Sequence, residues 1–159
     1  MKKCFVLSLA LLFALGCVAQ TASSPVGATE DISGMDTFLR EGEFVQLTVE
    51  DGRLTGFVSR YGESDSDKGA VLDQLFKEAE IKGNTIHFVT REVHGTWFEF
   101  QGMVERGEEK DPSAEGYRVV RGKLIQYTDD GQNKDKPTAK SRELTMKSFP
   151  TDALADKKR

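Results

Sequence analysis

Beyond residue 17 the 159-residue chain contains no cysteine, since Cys4 and Cys17 are its only two. A domain that begins after them can hold no internal disulfide, and its stability has to come from a packed core. No apolar run after Leu15 approaches the roughly 20 residues that a membrane helix needs. Histidine is scarce, with His87 and His94 the only two. There is no Gly-x-Ser-x-Gly elbow and no phosphate-cradling glycine loop, so the usual signs of nucleophilic catalysis and nucleotide chemistry are missing. The acid pairs Glu108-Glu109 and Asp129-Asp130 lie in polar loops, where water leaves carboxyl groups at ordinary acidity. The residues therefore point to no catalytic group, no metal set and no cofactor. Excess positive charge is absent too: the chain carries net charge −4, and a mature chain without Lys2 and Lys3 carries −6. That balance argues against nucleic acid or an anionic lipid surface as a partner.

What is present begins with a leader. Met1-Lys2-Lys3 is a short positive start, and Phe5 to Leu15 is apolar except for Ser8. Gly16-Cys17-Val18-Ala19 then offers small residues for cleavage before Gln20. Residues 1–19 thus read as a secretory signal peptide, which predicts a periplasmic or secreted product. A second route is open at Cys17. Ala14-Leu15-Gly16-Cys17 resembles the lipobox of bacterial lipoproteins, and the resemblance implies acylation of Cys17 and a membrane anchor. Residues 20–31 are small and polar and read as a tether. Residues 32–150 read as one domain, and 151–159 as a disordered tail.

From Ile32 onward the apolar pattern has mainly period two, the mark of strands. Asp51-Gly52 predicts a two-residue hairpin turn that sets Glu50 opposite Arg53, Val49 opposite Leu54, Leu47 opposite Gly56 and Val45 opposite Val58. Gly83-Asn84 predicts a second, with Ile81 facing Ile86 and Ala79 facing Phe88. A third turns through His94-Gly95-Thr96. A three-residue loop there pairs Val93 with Trp97, Thr90 with Phe100 and Phe88 with Gly102, whereas a two-residue loop would set Phe88 against Gln101 and split the apolar face. Further strands are expected over 117–127 and 142–149, and a weaker first one over 32–39. Val71, Leu72, Leu75, Phe76 and Ala79 have helical spacing behind the cap candidates Asp65, Ser66 and Asp67, which predicts a short helix near 68–76.

The expected fold is therefore all-β: an eight-stranded antiparallel up-and-down meander that buries one face by curling into a barrel. The polar face, with Gln46, Thr48, Arg91, Glu99, Gln101 and Glu105, faces water. This layout resembles the lipocalin-like, or calycin, barrels, and also small exported proteins of Gram-negative bacteria. Of the lipocalin Gly-x-Trp signature the chain keeps Gly34 and carries Asp36 at the tryptophan position. The resemblance implies an interior that can hold a ligand.

Two functions follow as expectations. The first is an exported non-catalytic binding module with a small apolar ligand inside the barrel, lined by Leu47, Gly56, Val58, Phe88, Phe98, Phe100, Gly102 and Gly122. The inward glycines Gly56, Gly102 and Gly122 either let the strands coil or leave room for that ligand. The alternative is an envelope interaction or structural protein with a solid core, acting through the outward Phe57, Trp97 and Met103. His87 and His94 are seven residues apart, about 20 Å along a strand at ~3.3 Å per residue, too far to share one metal ion. The acidic stretch Glu63 to Gly69 lacks the glycine and glutamate spacing of a calcium loop.

Overall fold

The computed structural model describes residues 32–38, 40–129, 131 and 136–150. The expectations about the leader, the tether, Cys17 and the tail fall outside these residues. The described residues form eight strands, β1 (Gly34–Thr37), β2 (Phe44–Glu50), β3 (Arg53–Tyr61), β4 (Val71–Lys82), β5 (Thr85–Thr90), β6 (Thr96–Arg106), β7 (Arg118–Thr128) and β8 (Thr138–Lys147). Each pairs antiparallel with the next in chain order, giving a single curled sheet, a half-barrel. The two edges of the sheet touch at a bridge between Asp36 and Ser148, and Phe149 N–H donates to the Met35 carbonyl at 2.9 Å.

The first two hairpins have the expected registers. Val45 faces Val58, Leu47 faces Gly56, Ile81 faces Ile86 and Ala79 faces Phe88. The third differs. His94 and Gly95 form a two-residue turn with φ of 50° and 72°, closed by a Val93–Thr96 bridge. One extra residue then accumulates on the β5 side, so Val89 meets Glu99, Phe88 meets Phe100 and Ile86 meets Gly102. The bulge has visible causes. Thr90 Oγ1 accepts the Phe98 N–H at 2.9 Å, and Arg91 N–H turns to the Leu75 carbonyl at 2.8 Å. The register is thus displaced by two from the expected one. An even displacement leaves every side chain on its expected face.

The helix expected near 68–76 is not formed; those residues lead into β4. Leu72, Gln74 and Phe76 alternate inward, and a bulge between Phe76 and Glu78 resets the parity so that Ala79 and Ile81 also turn in. Val71 and Leu75, which completed the helical spacing, point outward and are 65% and 55% exposed. An odd step inside a period-two pattern mimics the three- and four-residue spacing of a helix.

Inside the curl, Phe76 stacks on Phe88 with ring centroids 4.3 Å apart, and Phe88 on Phe100 at 5.3 Å. Phe98 meets Phe38 edge-on at 5.4 Å. Val45, Leu47, Val58, Ile86, Val104, Val120, Leu124 and Met146 close the core around them without exposure. Burying each large apolar side chain contributes about 1.5–3 kcal/mol. Gly102 and Gly122 face each other across β6 and β7. The Phe100 ring lies where their side chains would be, with Cζ only 2.5 Å and 2.8 Å from a Cβ built on each. Outside, Glu105 pairs with Arg121 at 3.1 Å, and Gln101 and Arg91 are exposed, so the outer face is polar as expected.

Candidate functional site

Among the described residues, two concavities stand out in the packed sheet. The first lies between β3 and β4. These strands pair only from Phe57–Leu75 to Tyr61–Val71. The bulge after Phe76 then turns β4 toward β5, and the pairing with β3 stops. Arg53–Gly56 on one side and Lys77–Lys82 on the other are left flanking a cleft of about 940 Å³. Its floor is made of inward residues, Leu54, Gly56, Phe76, Ala79 and Ile81, so the cleft is a lateral opening onto the core. Its rim is charged. Lys77 lies 3.7 Å from Glu78, Lys82 pairs with Glu80, and Arg53 and Arg91 complete the rim.

The second concavity is a polar mouth at the end of the sheet that carries the β1–β2, β3–β4 and β5–β6 connections. It holds about 180 Å³ and is lined by Arg40, Glu43, Arg60, Tyr61, Glu63, Phe98, Gln126 and Arg142. Glu43, Arg60 and Gln74 occupy the inward phase of their strands, continuing Val45–Leu47, Val58 and Phe76 respectively, and all three are buried. Arg60 is held on every side: Nε donates to Gln74 Oε1 at 2.7 Å, Nη1 to the Tyr61 carbonyl at 3.1 Å and Nη2 to the Val93 carbonyl at 3.4 Å. Burial pulls its pKa down, and the carboxylates of Asp67, Glu63 and Glu43 oppose that pull. Gln74 Nε2 in turn donates to the Thr96 and Arg91 carbonyls at 2.7 and 3.1 Å. Glu43 Oε1 accepts the Tyr61 N–H at 3.1 Å and lies 3.0 Å from Arg40 Nη2. Its Oε2 is buried and has no hydrogen-bond partner among the described residues.

Beside the mouth, Asp67 ties two loops together. Its Oδ1 accepts from Ser64 N at 2.8 Å and Ser64 Oγ at 2.5 Å, and its Oδ2 lies 2.6 Å from His94 Nδ1. Hydrogen bonds from Ser64 first, then from His94, hold its pKa below the usual carboxylate range. The acidic stretch Glu63 to Gly69 therefore spends its best-placed carboxylate on the hairpin tip. His87, on the outer face of β5, lies 3.4 Å from Glu99, so the two histidines sit in separate places.

The residues named from sequence scatter over these features. Leu47, Val58, Phe88, Phe100, Gly102 and Gly122 lie within the packed core, Gly56 lines the cleft, and Phe98 floors the mouth. Of the outward set, Phe57 packs against Phe44 at 5.9 Å, with Phe149 beyond it at 6.3 Å from Phe44. Trp97 stacks on Tyr127 at 5.1 Å, and the Tyr127 hydroxyl donates to Glu99 Oε2 at 2.9 Å. That bond, together with burial, raises the tyrosine pKa. Met103, 45% exposed, sits six residues further along β6, so the three do not form one patch. Of the mouth, the sequence pointed only to Phe98. The available signal was a charged or amide residue in an inward phase: Glu43, Arg60 and Gln74. No protein-family profile, curated protein or solved structure matches this chain.

Proposed function

We propose that this chain is an exported, non-catalytic binding module of the lipocalin-like kind, and that it takes a small apolar ligand at the opening between β3 and β4. The carrying observation is the cleft itself, about 940 Å³ with Leu54, Phe76, Ala79 and Ile81 at its floor. The aromatic column of Phe76, Phe88 and Phe100 fills the centre of the curl, so the ligand lies against the side of the core. Mixed charge around the rim suits a ligand with a polar head at the solvent side. The test is native mass spectrometry after incubation with an envelope lipid extract, comparing the native chain with Ala79→Phe. The expected result is a retained mass on the native chain that the variant loses. An absence of retained mass, or equal retention by both, overturns the reading.

The second reading is an envelope interaction protein with a solid core. The half-buried stack of Trp97 on Tyr127, on the outer face of the sheet, favours it, because aromatic pairs on a sheet face are suited to burial by a partner. A pull-down from envelope fractions in which Trp97→Ala loses a partner supports this reading; identical recovery rejects it. Export ends in one of two places. Mass spectrometry of the mature N-terminus distinguishes a free chain beginning at Gln20 from one anchored through acylated Cys17.

A further inference from the structure

The polar mouth shares no lining residue with the β3–β4 cleft. Glu43 Oε2 is the decisive atom: its side chain is only 2% exposed, and among the described residues no donor reaches that oxygen. Folding withdraws an acceptor from water without replacing its hydrogen bond, an arrangement that persists where something else supplies the donor. The neighbouring guanidiniums are turned to other acceptors. Arg60 is committed to Gln74 and two carbonyls, and Arg40 is directed at Glu43 Oε1 and Glu63. Across the same 180 Å³ pocket stands Arg142, placed on β8 opposite Leu124, with no ion-pair partner among the described residues. The lining thus carries a buried acceptor lacking a donor and a guanidinium lacking an anion, above the apolar floor of Phe98.

We propose that the mouth binds a small zwitterion of the free α-amino acid class, its ammonium donating to Glu43 Oε2 and its carboxylate accepting from Arg142. Other small ligands match less well. A simple cation would enter a lining in which the guanidinium groups of Arg40, Arg60 and Arg142 outnumber the carboxylates of Glu43 and Glu63. A simple anion would satisfy Arg142 and leave Glu43 Oε2 without a donor. A neutral polyol would satisfy Glu43 and leave the guanidinium charge unbalanced. The volume is below that of drug-sized pockets, roughly 300–1,000 Å³, and suits a molecule of a few heavy atoms. The site is distinct from the β3–β4 cleft, since Ala79→Phe does not touch it.

The experiment is a titration of the full chain with L-alanine, followed by calorimetry and by NMR shifts of the Glu43, Tyr61 and Gln126 amides. N-acetyl-L-alanine, L-alanine methyl ester and D-glucose serve as comparison ligands. Saturable binding of L-alanine at those amides is expected. Blocking either the amine or the carboxyl should weaken it by about tenfold or more, the loss of one charge-assisted hydrogen bond. Arg142→Gln, an exposed position that leaves the buried network intact, should weaken L-alanine by a similar factor and should not weaken its methyl ester further. Glu43→Gln should abolish binding; if that variant does not fold, Arg142→Gln and the blocked ligands decide alone. No saturable shift with L-alanine, equal affinity for the blocked forms, full affinity in Arg142→Gln, or preference for D-glucose would each overturn the proposal.

Discussion

At the scale of single residues, two kinds of position fix this structure: those with no room for a side chain, and those where a charge has a defined partner. Gly102 belongs to the first. A methyl group there would meet the Arg121 carbonyl oxygen on β7 and the edge of Phe100, which is packed between Phe88 and the facing Gly122. Gly102→Ala should therefore destabilise the domain by about 1–3 kcal/mol, the usual cost of overpacking a filled core, read as a lower urea midpoint with an unchanged slope. A variant as stable as the native chain would mean that both the ring and the β7 backbone give way at no cost. Asp67 belongs to the second kind. Its folded pKa is depressed by Ser64 and His94, so its contribution is fully present above the ordinary carboxylate range and is lost as pH falls through the lower, folded value. The stability gap between the native chain and Asp67→Asn should be widest near neutral pH and should close toward strong acid. Urea midpoints measured across the acid range check this; a gap that grows on acidification would contradict it.

At the scale of elements, what could be read in advance and what could not follow from the same physics. Asp51-Gly52 and Gly83-Asn84 set the first two registers because turn chemistry and alternation agree there. The third hairpin and β4 each contain a bulge, and a bulge leaves no direct trace in an apolar pattern. After Thr90 the extra residue was hidden because the net displacement was even. After Phe76 it was odd, and with the exposed Val71 and Leu75 it imitated a helix. The mouth was hidden for another reason: period-two reading sorts residues by hydrophobicity, whereas Arg60 and Gln74 are buried because they satisfy each other and nearby carbonyls, and Glu43 accepts the Tyr61 N–H and pairs with Arg40 through one oxygen. The cleft follows from the β4 bulge, and it makes a prediction at this scale. Amides of Arg53–Gly56 and Lys77–Lys82 that point into the cleft lack a strand partner, while β6 and β7 are paired along eleven positions. Hydrogen exchange should be fast in the former and slowest in the middle of β6 and β7. Uniform protection of β3 and β4 would show that the two strands close on each other in solution.

At the scale of the whole molecule, the curled sheet closes through a short seam, and a buried ion pair sits on it. Asp36 is fully buried in β1 and lies 3.4 Å from Arg118 Nη2 of β7, while Arg118 N–H and Ser148 Oγ bond at 3.3 Å beside it. The carboxyl of Asp36 thus sits at the seam with the Arg118 guanidinium beside it. Desolvation raises the Asp36 pKa more than the charge and hydrogen bonds of Arg118 lower it. A raised folded pKa means that this carboxyl favours the fold below the ordinary carboxylate range, and that its contribution is lost as pH rises through the folded value. The pair therefore specifies where β1 meets β7 and β8 more than it strengthens the contact. Removing one partner should be costly: Arg118→Met leaves Asp36 buried without its cation and should lose about 3–5 kcal/mol. Removing both should not. Asp36→Leu combined with Arg118→Met replaces two desolvated charges with apolar contacts, and it should recover most of that loss. The double variant should also lose the decline in stability with rising pH that Asp36 contributes. Thermal and urea unfolding of the single and double variants at two pH values tests both statements. If the double variant is as unstable as Arg118→Met alone, the seam depends on the attraction between the two charges, and apolar contact cannot hold the half-barrel closed in their place.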